Sequence, residues 1–597
     1  MNKGFDPYLL SVLSSRIDAI TQDMINTVIR TARSQVLNFA RDFSTALFDR
    51  NGRVIAAPMC IPSHCGNMGM MSKHLFSHPD GIHKGDVFLN NSPYHNNSHA
   101  ADYTYIAPVF SHGELMFFSV VKAHQADCGN SLPTTYHAWA KDVYEEGAII
   151  WPCVKIQKDY QDVADIINIA KMRIRCPELW YGDFLACLGC VRTGERQLEA
   201  MCEEYGNELI KEFCDAYSDY ADRMMLDEIR NLSGEHAEYE FLFDEVPGIS
   251  QDIRIHLEAD VDKESGTITI DVTKNPDALD WGLNLCESTT IAACRAGVLY
   301  HMPNIPGIDG ALDRIKVKMR KGGLLGEAVH PRSYSACTTN LCARTASGVG
   351  VLFNQLKKST GMAETNCNVS VSQGVYSGID YRKNNEPFVN QFVLGATGGP
   401  GVKGHDGWIN FCDAANAGAC RWNSVELLEQ QYPVLIQCEE IMTDTIGSGT
   451  YDAAPGCLFE LAARETPVTV TFACDGGKNV PKGAAGGMDG HLNKAFRYKK
   501  NEGRESRVAR PYYSTEVLQP GEVIVGECSV AGGYGSPLER DPEKVCHRVR
   551  EGWITKEYAE NVYGVVIDTS KEQFVVLYGE TEQLRSQMKA RKEGERT

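Results

Sequence analysis

The chain has 597 residues, of which 43% are hydrophobic and 23% charged, a composition that excludes an intrinsically disordered protein. Its 59 Lys and Arg face 78 Asp and Glu, and the net charge of −19 argues against nucleic acid or an anionic membrane surface as the main partner. The opening MNKGFDPYLL lacks the pattern of a secretory signal, and no apolar stretch reaches the ~18–20 residues of a membrane helix, so we expect a cytoplasmic protein.

The first 235 residues alternate between helical and strand patterns. Apolar side chains recur at three- and four-residue steps over residues 8–40, which predicts a long N-terminal helix. The segment FSTALFDRNGRVIAAP predicts a β-hairpin that turns at 49–52. Three further strands are predicted within 86–127, in DVFLNN, DYTYIAPVF and ELMFFSVVKAH, and helix returns over 160–230.

From about residue 236 the sequence pattern changes to strands in which apolar and polar residues alternate, such as IRIHLEADVD, and a helix is predicted at 287–300. Residues 388–490 are rich in glycine, which favours tight turns between short strands. We predict a large multi-lobed protein of mixed α/β (α+β) class, with a long N-terminal helix, mixed sheets and a glycine-rich, β-containing C-terminal half. Three regions are expected: an N-terminal metal-site region (1–235), a central α/β region (236–385) and a glycine-rich C-terminal region (386–597).

The 21 cysteines are predicted to be free thiols, because their number is odd and no export signal accompanies them. The one CxxC pair, Cys187 and Cys190, has no second pair at zinc-site spacing. It lies in a helical pattern, where cysteine is typical of a small buried hydrophobe. We therefore predict no zinc or redox role for this pair.

No nucleotide-binding motif is apparent in the chain. GxxxxGK[ST] is absent, and the glycine clusters do not open a clear strand–turn–helix unit of the GxGxxG kind. The GxSxG nucleophile elbow and the HExxH zinc motif are absent as well. ATP chemistry by this chain alone is therefore not expected.

Histidine and aspartate form the strongest constellation of chemical groups. His99-Ala-Ala-Asp102 and His124-Gln-Ala-Asp127 are two HxxD motifs at the ends of predicted strands. If those strands pair antiparallel, the start of one lies beside the end of the other, which brings His99, Asp102 and His124 together. Imidazole and carboxylate suit zinc, manganese or iron, and Asp42, where the first helix meets the first strand, could join them.

Spacing alone leaves two interpretations open: a metal site, or histidines that only bond backbone groups at strand ends. A bound divalent ion would act as a Lewis acid and lower the pKa of a water to near 7. Asp127 could then orient that water or act as general base, and His64, a loop histidine in IPSHCGNMG, is a second candidate catalytic residue. Both hydrolysis of an amide-like carbon and stabilisation of an enolate fit such a site.

At these residues the chain resembles the hydantoinase B/oxoprolinase family, over nearly its whole length. The likeness is carried by RDFSTALFDRNGRVIA, GDVFLNNSPYHNNSHAADYTYIAPVF, AHQADCGN, EEGAIIWPCVKI, GDFLACLGCVRTGER, GGPGVKGHDGW, DTIGSGTYDAAPG and VAGGYGSPLERDPEKVCHRVREGWITKEYAENVYGVVID. Their order along the chain follows the family's order. This makes the match specific.

The resemblance implies a B-type subunit that holds a divalent metal, zinc or manganese before iron, in a hetero-oligomer. A separate hydantoinase A-type subunit would bind ATP and phosphorylate the substrate, which agrees with the missing nucleotide motif. The family's metal ligands fall on Asp42, His99, Asp102 and His124, and its second acidic position falls on Asp127. The implied reactions are opening of hydantoin, 5-oxoproline or lactam rings, or carboxylation of ketones such as acetone.

The loop around the site departs from the family pattern, with Ser92 in place of an acid and Asn96, Asn97 and Ser98 in place of GGT. Loss of two glycines adds amide side chains and removes a close backbone approach, so no substrate is carried over. Three hypotheses follow, in order: an amide-opening hydrolase subunit, a ketone carboxylase subunit and a non-catalytic scaffold subunit. Bicarbonate dependence of substrate-stimulated ATP hydrolysis separates the first two.

Overall fold

A computed structural model describes residues 5–58, 60–249, 251–367, 369–395, 398–570 and 573–594. The α-helices, numbered in chain order, are α1 (Pro7–Thr31), α2 (Gln35–Asn38), α3 (Pro62–Cys65), α4 (Ser72–Phe76), α5 (Val143–Glu146), α6 (Ala164–Arg173), α7 (Pro177–Tyr205), α8 (Asn207–Arg230), α9 (Glu287–Leu299), α10 (Asp309–Leu312), α11 (Asn340–Leu356), α12 (Val425–Gln431), α13 (Pro542–Arg550), α14 (Lys556–Tyr563) and α15 (Tyr578–Gly594). Short 3-10 turns lie at Met68–Met71, Pro93–His95, Val371–Gln373, Tyr381–Lys383, Lys500–Glu502, Arg504–Ser506 and Pro537–Glu539.

The strands form several separate sheets, and most of their pairings are antiparallel. The strands are β1 (Phe43–Asp49), β2 (Val54–Ala56), β3 (Val87–Asn90), β4 (Asp102–Ser111), β5 (Glu114–His124), β6 (Val154–Lys158), β7 (Gln161–Asp162), β8 (His236–Phe243), β9 (Ile253–Asp262), β10 (Thr267–Asp271), β11 (Ile315–Lys318), β12 (Arg320–Lys321), β13 (Gly326–Glu327), β14 (Val375–Asp380), β15 (Glu386–Gln391), β16 (Val434–Ile441), β17 (Cys457–Ala463), β18 (Val468–Ala473), β19 (Lys494–Lys499), β20 (Val508–Arg510), β21 (Tyr513–Leu518), β22 (Glu522–Glu527), β23 (Ile567–Asp568) and β24 (Val575–Val576). The mixed α/β class expected from the sequence is confirmed.

The N-terminal region is built on a seven-stranded sheet with the order β2-β1-β5-β4-β3-β6-β7. Helices α1 and α7 share one core with this sheet, and α1 contributes a buried stripe that includes Leu13, Ile17 and Met24. The apolar spacing along α1 is what places that stripe on one face. The hairpin predicted at 43–56 is present as β1 and β2.

The N-terminal helix is shorter than the sequence predicted, because α1 ends at Thr31 and only the four-residue α2 follows before β1. Ala32 is extended, with φ −65° and ψ 148°. The next two backbone N–H groups, of Arg33 and Ser34, donate to Asp183 on α7 at 2.6 and 3.0 Å. This long-range carboxylate takes up donors that a continuing helix would have used, and the chain turns there toward the sheet.

The central region packs the sheet β11-β10-β9-β8 against α9 and α11 in the largest apolar core of the described residues. The C-terminal half contains two antiparallel sheets, β15-β14-β18-β21 and β16-β17-β22-β19-β20, joined by a common apolar core. Parallel pairing occurs between β10 and β11 and between β12 and β13.

Glycines in the C-terminal half serve close backbone packing as well as the turns that the sequence predicted. Gly395 and Gly476 have positive φ angles of 52° and 79°, as expected in turns. Gly447 and Gly533 instead pack against the chain itself, where a Cβ would collide with the carbonyl oxygens of Ala531 and Ser448. The glycine-rich loops are therefore layered on one another, a role that a turn pattern does not reveal.

Nineteen cysteines are free thiols, all of them buried, as predicted. Cys187 and Cys190 lie on α7 with no solvent exposure. The prediction of free thiols is wrong for Cys60 and Cys65, which form a disulfide across five residues of sequence because the α3 turn brings them face to face. Within the described ranges, no helix has the length and apolar character needed to cross a membrane.

Candidate metal centre

The centre lies at one end of the seven-stranded sheet, where β4 begins and β5 ends. Asp102 and His124 are direct partners in the antiparallel register of these two strands. The backbone N–H of His124 also donates to the carbonyl of Asp42, just before β1, at 3.0 Å. The strand pairing thus brings together three residues that are distant in sequence, as the alternation of strand and turn predicted.

The carboxylate of Asp102 is surrounded by three imidazoles. His99 Nε2 lies 3.0 Å and His124 Nδ1 lies 3.1 Å from Asp102 Oδ1. His64 Nε2 lies 3.4 Å from Asp102 Oδ2 and 3.7 Å from Asp42 Oδ1. Ligand atoms of His99, Asp102 and His124 all lie within 4.8 Å of one another, and all three residues are buried. The structure therefore brings the four predicted metal ligands and His64 into one group.

The hydrogen bond on the far side of His99 fixes its tautomer. His99 Nδ1 lies 2.7 Å from the carbonyl oxygen of Ser335, which can only accept, so Nδ1 carries the proton. The Nε2 lone pair of the neutral ring then points at a carboxylate oxygen 3.0 Å away. Two lone pairs at this distance repel unless a proton or a metal cation lies at Nε2.

The electrostatics of the group also indicate a proton or a metal cation at Nε2 of His99. Burial on its own would raise the pKa of Asp102, but the neighbouring His99 and His64 hold it well below the usual range. Burial lowers the pKa of His99, yet the Asp102 carboxylate outweighs that effect and the net pKa is raised. The group thus favours a bound positive charge, and its imidazole and carboxylate donors fit a divalent cation.

A small cavity of about 30 Å³ lies over the group, lined by Asp42, Ser63, His64, Asp102, His124, Tyr136, Thr338, Thr339, Val369, Gln373, Gln391, Val393, Cys412, Asn416 and Cys420. This volume suits an ion or a water and is too small for a whole organic substrate. The Tyr136 ring stacks on His99 and His124, with centroid distances of 5.8 and 5.3 Å. A substrate can therefore reach the group only if the residues that line the cavity move, or if its reacting group alone enters the cavity.

A buried lysine lies behind the group. The Lys122 ammonium, on β5, donates to the backbone carbonyl of His64 at 3.2 Å. Burial lowers the pKa of Lys122 to about 8. This contact anchors the α3 turn that carries His64 against the sheet. Ser44 Oγ contacts His64 Nδ1 at 3.2 Å from the opposite side and orients the ring.

Asp127, the predicted acidic partner of the centre, has other contacts in the structure. Its carboxylate accepts from the backbone N–H groups of Gly129 and Arg175 at 3.0 and 2.7 Å, and from the Arg175 guanidinium at 3.1 Å. It is not among the residues that line the cavity. Its oxygens hold the loop after β5 to the segment before α7.

Several residues of the centre were missed by the sequence analysis. Thr135 Oγ1 lies 3.2 Å from His124 Nε2, and the Ser98 hydroxyl donates to Asp102 Oδ2. Gln391 and Asn416 line the cavity from the C-terminal half. The loop PTTYHAWA shortly after the second HxxD motif was a local signal for Thr135 and Tyr136. No local pattern in the sequence indicated the residues contributed from beyond position 330.

Two further His and carboxylate groups occur among the described residues, His236 with Glu258 and Asp260, and His256 with Glu238 and Glu258. Both lie on β8 and β9, and most of their side chains are exposed. Exposed ionic groups on a sheet surface are common without a ligand. They provide matched controls for the buried group.

Comparison with known proteins places the chain among similar sequences and folds. The family model described as Hydantoinase B/oxoprolinase matches residues 6–537. Caprolactamase subunit beta from Pseudomonas jessenii is 30% identical over 576 residues, which cover 94% of this chain and 96% of that protein. A crystal structure of the ATP-dependent caprolactamase from Pseudomonas jessenii matches with a TM-score of 0.86 and 26% identity, over 98% of this chain and 100% of that one.

A nucleotide-free structure of acetone carboxylase matches with a TM-score of 0.87 over 99% of this chain and 84% of that one. Its sequence is 17% identical, which shows a shared fold and no more. The family model and the caprolactamase subunit, in contrast, match in sequence along most of the chain. The chain therefore belongs to the Hydantoinase B/oxoprolinase family.

Proposed function

We propose that this chain is the metal-binding subunit of an ATP-dependent hydrolase that opens cyclic amides. One observation carries the proposal: the buried convergence of His99, His124 and Asp102 beside Asp42, in a chain similar over its length to a caprolactamase subunit. The names of its relatives include subunit beta and ATP-dependent caprolactamase. We therefore infer a second, A-type subunit that binds ATP and phosphorylates the substrate.

His99, His124, Asp102 and Asp42 would hold the divalent ion, zinc, manganese or iron. When bound, such an ion supplies Lewis-acid polarisation of a carbonyl and lowers the pKa of a water toward 7. The carbonyl of Ser335 fixes the ring of His99 through Nδ1 and leaves the lone pair of Nε2 free to bind the ion. Asp102 is buried and contacted on both oxygens, which holds its geometry rigid.

His64 is the best placed general acid–base within the group. Its Nε2 faces both carboxylates, while its Nδ1 contacts the Ser44 hydroxyl at 3.2 Å. An imidazole held in this way can accept a proton at Nε2 and return it to a leaving nitrogen. The small cavity around it leaves little room for competing water, and the stacked Tyr136 keeps the neighbouring rings in place.

Metal content of the purified chain tests the site. Protein from medium supplemented with zinc, manganese and iron is compared by mass spectrometry with His124→Ala, Asp102→Asn and the control His236→Ala. We expect close to one ion per wild-type chain, retention in the control and loss in both site variants, with circular dichroism confirming the fold. Metal-free wild type, or retention in both site variants, would remove the proposal.

Turnover tests the reaction. The chain is combined with its A-type partner, ATP and a panel of caprolactam, 5-oxoproline, hydantoin and acetone, with and without bicarbonate. We expect ring opening coupled to ATP hydrolysis in the absence of bicarbonate, and its loss in His64→Gln with the metal retained. ATP hydrolysis that acetone stimulates only in the presence of bicarbonate would instead identify a ketone-carboxylase reaction.

A further inference from the structure

A second cavity, of about 200 Å³, lies beside the candidate metal centre and is lined by Ile25, Arg41, Phe43, Cys60, Ala417, Gly418, Ala419 and Arg421. We call it the arginine cavity. Within the ranges that the structure describes, its lining includes two arginines and no acidic residue. In a chain with 78 acidic and 59 basic residues, a cavity with only positive charge is unexpected without a ligand to balance it.

The side chains of the two arginines have no polar contacts in the described part of the chain. Among the residues that the structure describes, the guanidinium groups of Arg41 and Arg421 form no hydrogen bond or ion pair. Arg421 is exposed at the rim and Arg41 is half-buried. Arg41 also adopts a positive φ of 57°, a conformation that costs a non-glycine residue free energy and that often marks a functional position.

A thin wall separates the arginine cavity from the metal centre. Arg421 N–H donates to the carbonyl of Ala40 at 2.8 Å, which joins the loop before α12 to the segment before β1. Asp42 and Cys420 line the small cavity of the metal centre. The residues next to them in sequence line the arginine cavity: Arg41, Phe43, Ala419 and Arg421. A group bound between the arginines therefore lies next to the residues that carry the metal centre.

We propose that the arginine cavity binds an oxyanion, either a phosphate or a carboxylate. The planar guanidinium group matches two oxygens of either anion. Because neither guanidinium is paired with another described residue, the N–H donors of both are available to a ligand. The volume of about 200 Å³ equals six or seven waters at ~30 Å³ each, enough for a small anionic group and its hydration. Neither the metal nor turnover is needed for this binding.

Calorimetric titration of the purified chain with inorganic phosphate and, separately, with malonate tests the proposal. The variants are Arg421→Gln, Arg41→Gln and Arg421→Lys, with Arg464→Gln as a control, because Arg464 is an exposed arginine that does not line the cavity. We expect one saturable site that is weakened about tenfold or more in both Gln variants, partly kept in Arg421→Lys and unchanged in the control.

Tighter binding of phosphate than of malonate identifies a phosphoryl ligand, and the reverse order identifies a carboxylate ligand. Equal affinity in wild type and Arg421→Gln, or no saturable binding of either anion, would overturn the proposal. Because Arg421 is exposed, its variant remains informative even if Arg41→Gln does not fold. The result is independent of the proposed hydrolysis, since it requires no substrate, ATP or partner subunit.

Discussion

Two clusters of charge in this protein, each containing a fully buried aspartate, have opposite organisation. Near the C-terminus, Arg540 lies 2.7 Å from Asp406 and 3.0 Å from Asp452, and Arg548 lies 3.1 Å from Asp406. Two arginines thus balance two aspartates, and Tyr563 donates to Asp452 at 2.8 Å. In the candidate metal centre, two carboxylates face imidazoles, which balance them only when a proton or a cation is held there.

The difference between the two clusters distinguishes structural charge from binding charge. Arg540 belongs to the PLERDPE segment and Asp102 to the HAAD segment, and both segments contribute to the family resemblance. Resemblance alone therefore does not say which one acts on a ligand. In the C-terminal cluster, permanently charged arginines face the aspartates within the chain, whereas carboxylates that face imidazoles are completed by a proton or a cation.

Removal of Arg540 is expected to give the largest effect on stability. Arg540→Met leaves the buried Asp452 and the half-buried Asp406 with reduced compensation, so the free energy of unfolding should fall by about 3–5 kcal/mol. Urea unfolding at neutral pH measures the change, with the exposed Arg550→Met as control. A loss below about 1 kcal/mol would contradict the structural assignment of this cluster.

A third buried group, His301, tests whether a satisfied imidazole behaves differently from those in the centre. His301 Nε2 donates to the carbonyl of Gly350, and its Nδ1 lies 2.7 Å from Thr360 Oγ1. Burial lowers the pKa of His301 to about 4. Since the unfolded value is near 6.5, its contribution is complete above pH 6.5 and is lost as pH falls toward 4.

The expected cost for His301 is about 2 kcal/mol between pH 7.5 and pH 5, from the two pKa values. His301→Gln places an amide near the position of Nε2, which can keep the hydrogen bond to Gly350 without titrating, so its stability should fall less over this interval. Denaturant unfolding at the two pH values measures the difference, and the exposed His547→Gln serves as control. Identical pH dependence in wild type and His301→Gln would contradict the assignment.

The sequence predicted local features of the fold and the centre well. The turn at 112–113 sets the register of β4 and β5, so the neighbourhood of Asp102 and His124 followed from two strands and a turn. The sequence did not predict where α1 ends. The carboxylate that accepts from the backbone N–H groups after α1 comes from Asp183 on α7. Ser335 and Gln391 in the centre likewise depend on packing between distant segments, which periodicity does not encode.

Asp127 gives the smallest expected effect and sharpens the comparison most directly. The sequence predicts that it positions a water, whereas its contacts to Arg175 resemble those of the balanced C-terminal cluster. Asp127→Asn keeps the shape and removes the charge, so we expect a loss of about 1–2 kcal/mol in stability with metal content unchanged.

Thermal unfolding and metal analysis of the same Asp127→Asn preparation measure both quantities, with Asp142→Asn, at the start of α5, as a control for loss of a carboxylate. Unchanged stability together with lost turnover would instead support the role that the sequence predicts for Asp127, the positioning of a water. Lost stability with retained metal would mean that only one of the two HxxD motifs supplies its carboxylate as well as its histidine to the centre. The acid of the other then serves the loop, because a carboxylate already bound by a guanidinium has little tendency to take a second cation.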